Sequence, residues 1–540
     1  MTAGESSHSH SHRISSKELE DSVRLAHQND FHVCKLLLYS KPNQRQRWGD
    51  HQIHPVVNYG DLFFDLYYVA AAYNLSNIIR QSPTADGFLY FIACFCAVFG
   101  LWMDKTMYDA RYFTYDDIYH RVYSVANLVA LASVVLHIRP VDVLSSPKEN
   151  VEAFALSVSL LAGSVFSAMR YLEMLWIGYV GEKSMYYAAR RDAAFKMLPI
   201  IFYCAASIYA GLQYFGNDDS GDDDHRMLAG DPYEKSETTD VPIYLILAGS
   251  ASHFAVSSII VMFAMPKDSR SITVPMNIDF TIHRFGEWTM LMLGESILSL
   301  LIVASPTNSK YYAAFFSGIL SVILLQYMHF RSQPSKADDH AMRRKKSAGF
   351  AFAFLMQVYS AALIILGTSY KMLLYEFTYE DALAGRRQRS LLPMPRWLAG
   401  DDGALQFDTD DRRQRIAHFF CASFAVVYFC SDAMLLAHRG LKDNMGRCHC
   451  GETKKAKING IILLVLRVAI LVFIATLSQY ETDPLLLTLI GLATVFGQVV
   501  LRVVSSIIFA DDRVHVDLKE NQEQEEALEG EKKMAAAGPE

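Results

Sequence analysis

The sequence predicts an all-α fold, a polytopic transmembrane helical bundle of about twelve spans with a candidate two-half repeat. Three observations lead there. Of the 540 residues, 51% are hydrophobic and only 20% are charged, for a mean hydropathy of +0.13. The apolar residues gather in runs of about 18–25 rather than at amphipathic spacing, and about 20 apolar residues in a helix cross a hydrocarbon layer of about 30 Å. The connections between runs differ in charge, basic on one side and acidic on the other, as in a chain threaded repeatedly through a bilayer.

Residues 1–58 are polar and mixed in charge and are expected as a cytoplasmic tail, since their apolar patch at 31–39 is too short to span. The opening MTAGESSHSHSHR lacks the apolar core of a cleavable signal peptide, so the first span is expected to act as its own insertion signal. The transmembrane domain is expected over 59–510, with spans at 61–79, 88–103, 119–138, 152–179, 197–215, 241–265, 285–304, 311–330, 347–374, 416–438, 458–479 and 484–509. Residues 511–540, with ENQEQEEALEGEKK, read as an acidic, disordered cytoplasmic tail.

Lys and Arg concentrate in 183–196, 267–270, 331–346 and 439–457, which share one side if the chain crosses twelve times. DDSGDDD, within 217–240, and Glu481 with Asp483 fall on the other side. By the positive-inside rule the basic loops and both termini are expected to be cytoplasmic. The connection 376–415 carries both signs, and alternation places it outside. Net charge is −7 with no basic stripe interleaved with aromatics, so nucleic-acid binding has no support. Cys94, Cys96, Cys204, Cys421 and Cys430 lie in apolar runs and read as packing residues. Cys448, His449 and Cys450 are too close together to supply four tetrahedral ligands, so no metal or cofactor is expected.

Charge inside the spans marks the candidate site. The stretch 277–304, NIDFTIHRFGEWTMLMLGESILSLLIVA, holds Glu295 deep in its apolar run and His283, Arg284 and Glu287 at its mouth. A carboxylate at mid-bilayer costs about 2.5–3.5 kcal/mol on insertion scales, so it faces a bundle interior or wet cavity and finds a partner. Glu287 and Glu295 differ by a rise of roughly 12 Å and a turn of about 80°, so both can face one crevice. Gly294 is expected to admit a neighbouring backbone. In the first span Asp61, Asp65, Tyr68, Ala72 and Ser76 share one helical stripe. An acidic helix opening each half fits a duplicated architecture, in which transporters place their sites at the repeat interface. Alignment of Asp65 with Glu287 gives little further identity.

Arg170 and Glu173, at i, i+3, are expected to pair. Arg467 and Arg502 need an acid from another helix, with Asp65, Glu287 and Glu295 as candidates. The tyrosine-rich WMDKTMYDARYFTYDDIYHR reads as a helix end and turn at the membrane face, presenting Arg111, Asp116, Asp117 and His120. No phosphate-binding glycine loop, nucleophile elbow or H-E-x-x-H motif is present, so the chain is not expected to be an enzyme. A membrane enzyme built on Asp116, Asp117 and His120 is the weaker alternative.

Three blocks resemble the bacterial low temperature requirement protein A family: GDLFFDLYYVAAAYNLSNII, FGLWMDKTMYDARYFTYDD and HRFGEWTMLMLGESI. The last is the most specific. They cover roughly the first three hundred residues, and the later spans match in hydropathy alone. His283 stands where the family typically has an acid, and Asp61 where it usually has Glu. The resemblance implies a multi-span inner or plasma membrane protein, the plasma membrane being the expectation here, and supplies no substrate.

The expected function is a secondary transporter coupled to protons or cations, with the bilayer and a small ion or solute as partners. Asp65, Glu287 and Glu295 are its candidate ion groups, because a carboxylate in a partly dry crevice can load and release a proton near neutral pH. Arg284 and Arg111 are expected to tune them or meet an anionic substrate, and Asp116 and Asp117 to belong to the same ion or substrate pathway. The alternatives are an ion channel lined by the same acids and a non-transporting scaffold or sensor whose charges specify packing.

Overall fold

The computed structural model describes residues 38–47, 59–114, 117–145, 151–180, 183–216, 240–260, 273–303, 308–334, 339–388, 409–444 and 454–508. Within hydrocarbon every backbone N–H and C=O must be paired inside the chain, which makes the apolar runs helical. The described residues form α1 (Tyr59–Gln81), α2 (Ala85–Asp109), α3 (Ile118–Leu136), the short α4 (Val141–Leu144), α5 (Val151–Val180), α6 (Lys183–Gly216) and α7 (Val241–Ile259). They continue through α8 (Ile278–Leu301), α9 (Ser309–Ser332), the short α10 (Ala341–Arg344), α11 (Lys346–Gln388), α12 (Thr409–Asn444), α13 (Lys454–Leu477) and α14 (Pro484–Ile508). Side chains of Thr84, Asp117, Asn277 and Asn308 accept backbone N–H groups at the starts of α2, α3, α8 and α9, satisfying donors that a helix start leaves open.

Ten of these helices are long and apolar enough to cross a membrane. Two more, α1 and α8, have 23 and 24 residues but carry the charges that remove them from the apolar class. Both sit inside the bundle. The neighbour order repeats between halves. In the first, α1 lies against α2 and α3, α3 against α5, α5 against α6, α6 against α7, and α7 returns to α2. In the second, α8 lies against α9 and α11, α11 against α12, α12 against α13, α13 against α14, and α14 returns to α9. The halves meet where α1 packs on α8 and α11.

Several expectations change. The stretch 183–196, read as a basic loop, forms the opening turns of α6, and Lys196 is buried. A two-residue strand, β1 (Asn43–Gln44), pairs antiparallel with β2 (Tyr112–Phe113). Beside it Ser40 N–H donates to Asp117 at 2.7 Å and Arg45 N–H to the Arg111 carbonyl at 2.8 Å. Part of the segment read as a polar tail thus clasps the α2–α3 connection. Gly294 faces open space, whereas a Cβ on Gly367 of α11 would meet Ser296 Cα at 2.8 Å. The close helix approach therefore lies beside Glu295 and not at the glycine preceding it.

Candidate functional site

The predicted stripe on α1 is buried along its length: Asp61, Asp65, Tyr68, Ala72 and Ser76 all face the interior. Asp65 is fully buried and meets Arg284 of α8, whose Nη1 and Nη2 donate to the two carboxylate oxygens at 2.9 and 2.7 Å. Trp102 Nε1 of α2 donates to Asp65 at 3.3 Å. The paired geometry matches the planar fork of a guanidinium to a carboxylate, the strong form of such contacts. Arg284 also donates to Glu287 at 2.6 Å, and Glu287 reaches His283 at 3.2 Å. Arg284 thus joins Asp65 of α1 and Glu287 of its own helix.

Beyond this pair, Lys105 of α2 bridges Asp61 and Asp109. Asp109 in turn reaches Arg170 of α5 at 3.4 Å. Arg170 also lies over the Tyr108 and Tyr123 rings, at 5.0 and 4.7 Å from their centroids. The expected Arg170–Glu173 pair is therefore replaced. Glu173 instead accepts from Tyr39 at 2.9 Å and lies 3.4 Å from His120.

Glu295 is fully buried one seam further along the same two helices. Its Oε1 accepts from Ser76 Oγ of α1 at 3.3 Å and from Ser299 Oγ at 3.0 Å, while its buried Oε2 has no hydrogen-bond partner among the described residues. Asp65 to Arg284 and Ser76 to Glu295 are both separated by 219 positions, so α1 and α8 run in the same direction. Lys371 of α11 is buried nearby, its ammonium 5.0 Å from the Tyr73 ring centroid, and interacts electrostatically with Glu295. Trp288 stands between the two acids on α8, packed against Trp102, Tyr68 and Phe99 at ring-centroid separations of 4.5, 5.4 and 5.5 Å.

The remaining predicted residues serve other contacts. Arg111 donates to Asp192 of α6 at 2.5 Å. Asp117 caps α3, accepting from His120 N–H and ring Nδ1 at 2.7 Å each and from Ser40 N–H. Burial raises the pKa of this carboxyl, but those hydrogen bonds prevail and hold it below the ordinary aspartate value. Asp116 and the Cys448–Cys450 triplet lie outside the described residues. Among the described residues no group of three or more His, Cys, Asp or Glu is arranged to hold a metal.

Arg467 and Arg502 are paired by Asp432 of α12, at 3.1 and 2.9 Å, and not by any of the acids proposed for them. In the first half, Asp104 of α2 pairs with Lys196 and lies 3.6 Å from His253. Lys371, Asp104 and Asp432 went unweighed in the sequence. Lys371 and Asp432 are isolated charges in apolar runs, the same signal that singled out Glu295, whereas Asp104 sits beside Lys105 at the start of a polar stretch.

Fold and site together define an integral membrane protein whose helices pack around buried, mutually compensating charges. The chain belongs to the family described as bacterial low temperature requirement A protein (LtrA), whose model matches residues 57–496 and so extends through the second half. No curated protein and no solved structure matches it.

Proposed function

We propose that this LtrA-family protein is a secondary transporter of a small solute coupled to protons or cations, without enzymatic chemistry, in the plasma membrane with both termini cytoplasmic. The observation that carries the reading is Glu295, a fully buried carboxylate with one oxygen held by two serine hydroxyls and the other without a hydrogen-bond partner among the described residues. Hydroxyls can donate or accept, so Ser76 and Ser299 can serve both the ionised and the protonated acid. Glu295 lies where α1 and α8, the opening helices of the two halves, meet, next to α11. That is where alternating-access transporters place their coupling groups. Asp65, clamped by Arg284, fixes the two halves together, and the half-exposed Glu287 offers a relay at the mouth.

The aromatic wall of Trp102, Trp288, Tyr68 and Phe99 separates the two acids, which favours gated transport over an open cation channel. Charge counts in the loops support the orientation. The reading is tested by proton flux into proteoliposomes holding a trapped pH dye under an imposed potential. Wild type should acidify the lumen and Glu295→Gln should not. Equal flux through the two proteins would contradict the assignment.

A further inference from the structure

One face of α2 lines a cleft from end to end. Ala85, Phe88, Ile92, Cys96, Met103 and Met107 recur at helical spacing along it. From 85 to 107 the rise is about 33 Å, close to the hydrocarbon thickness of about 30 Å. The opposite wall comes from α11 of the second half, so the cleft lies between the halves and away from the α1–α8 seam.

The cleft has two chambers of unlike chemistry. The one toward Ala85 is a half-open groove of about 840 Å3 walled by Phe88, Ile92, Ile365, Phe419 and Val426. The one toward Met107 encloses about 310 Å3 and brings Arg111, Arg191, Lys196 and Lys346 together with Asp104 and Asp192, four cations against two carboxylates. They share Cys96, Ser250, Phe254 and Gln357, with the rings of Phe254 and Phe354 5.8 Å apart at the junction. In the polar chamber the buried Nε–H of Arg111 has no acceptor among the described residues, although its Nη1 is engaged by Asp192.

We infer that this cleft binds an amphipathic organic anion, its carboxylate or phosphate head in the polar chamber against Arg111 and Lys196, its apolar tail beyond Phe254. The Nε–H of Arg111, which has no acceptor among the described residues, supplies a directed hydrogen bond to the head, and Lys196 lines the same chamber. The volumes fall in the range of small-molecule sites, and the apolar walls select the tail. The inference deepens the transport reading by naming its substrate class and rests on that reading for the word substrate. The binding does not require transport.

The test is equilibrium binding of tritiated octanoate to the full chain in phosphatidylcholine nanodiscs. Saturable binding is expected, displaced by decanoate but not by acetate or octanol. Arg111→Gln should weaken it at least tenfold. Ala362→Trp, which fills the apolar chamber without touching a charge, should abolish it, with thermal melting used to verify that each variant is folded. No saturable binding to folded wild type, or displacement by octanol as effective as by decanoate, overturns the site. Phosphatidylglycerol doped into the discs distinguishes the source of the head group. Competition assigns a bilayer lipid, its absence a water-borne anion, and the site stands in both cases. Binding without flux would overturn the transport reading alone, and flux without binding would overturn this site alone.

Discussion

Asp65 and Glu295 are both fully buried carboxylates on the seam between α1 and α8, yet they are held in opposite ways. Asp65 is gripped at both oxygens by Arg284 and touched by Trp102. Glu295 has two hydroxyls on one oxygen and, among the described residues, no hydrogen-bond partner on the other. A buried charge matched by a bidentate cation is fixed, because removing either member strands the other. A buried carboxylate hydrogen-bonded by hydroxyls, as Glu295 is with Lys371 nearby, can change protonation state with those partners in place. The first is a fastener between the halves and the second is the group suited to carry a proton.

The contrast can be broken most forcefully at Arg284. Arg284→Ala should destabilise the protein by about 3–5 kcal/mol, seen in thermal melts and in loss of folded yield, since Asp65 is left buried and unpaired. Pairing it with Asp65→Leu should recover most of that loss; a double variant as unstable as the single one would show that the bridge does more than compensate charge. Next comes Gly367→Ala, whose new Cβ would meet Ser296 Cα and Oγ, each at 2.8 Å. Overpacking of this kind costs about 1–3 kcal/mol, and the shift should reach Glu295 as altered flux.

Asp117→Ala should cost about 0.5–2 kcal/mol through loss of the α3 cap and should expose the segment around β1 to protease. The sign with pH follows from its depressed pKa. The stabilisation is full above the ordinary aspartate value of about 3.9. It is lost as pH falls through the lower folded value, so the wild-type advantage in melting temperature should shrink in acid and persist at neutrality. The smallest stability change, under about 1 kcal/mol, is expected for Glu295→Gln, which keeps the contacts to Ser76 and Ser299 within reach of an amide. A large destabilisation there would move Glu295 into the same structural class as Asp65.

The helical spans and the buried face of α1 were legible in the sequence because hydrocarbon leaves a chain few options and a helix repeats its facing residues at fixed spacing. The acids at 65, 287 and 295 stood out because charge in an apolar run is costly. Their partners were not legible. Which cation meets Asp65, or which acid meets Arg467 and Arg502, depends on helix rotation and register, and several helices carried eligible groups. Gly294 and Gly367 make the same point, since a glycine permits a close approach without revealing whether a neighbour uses it. The β1–β2 pairing was hidden for another reason. Two residues hold no period, and their order comes from contacts to Asp117 and Arg111 supplied by distant chain.

The distinction between the two acids is tested most directly by pH-difference infrared spectroscopy on the reconstituted protein, reading the carbonyl stretch of a protonated carboxylic acid. The expected result is a titrating band that vanishes in Glu295→Gln and survives in Asp65→Asn. A band that survives in Glu295→Gln and vanishes in Asp65→Asn would contradict the account, making the arginine-bound acid the one that exchanges the proton.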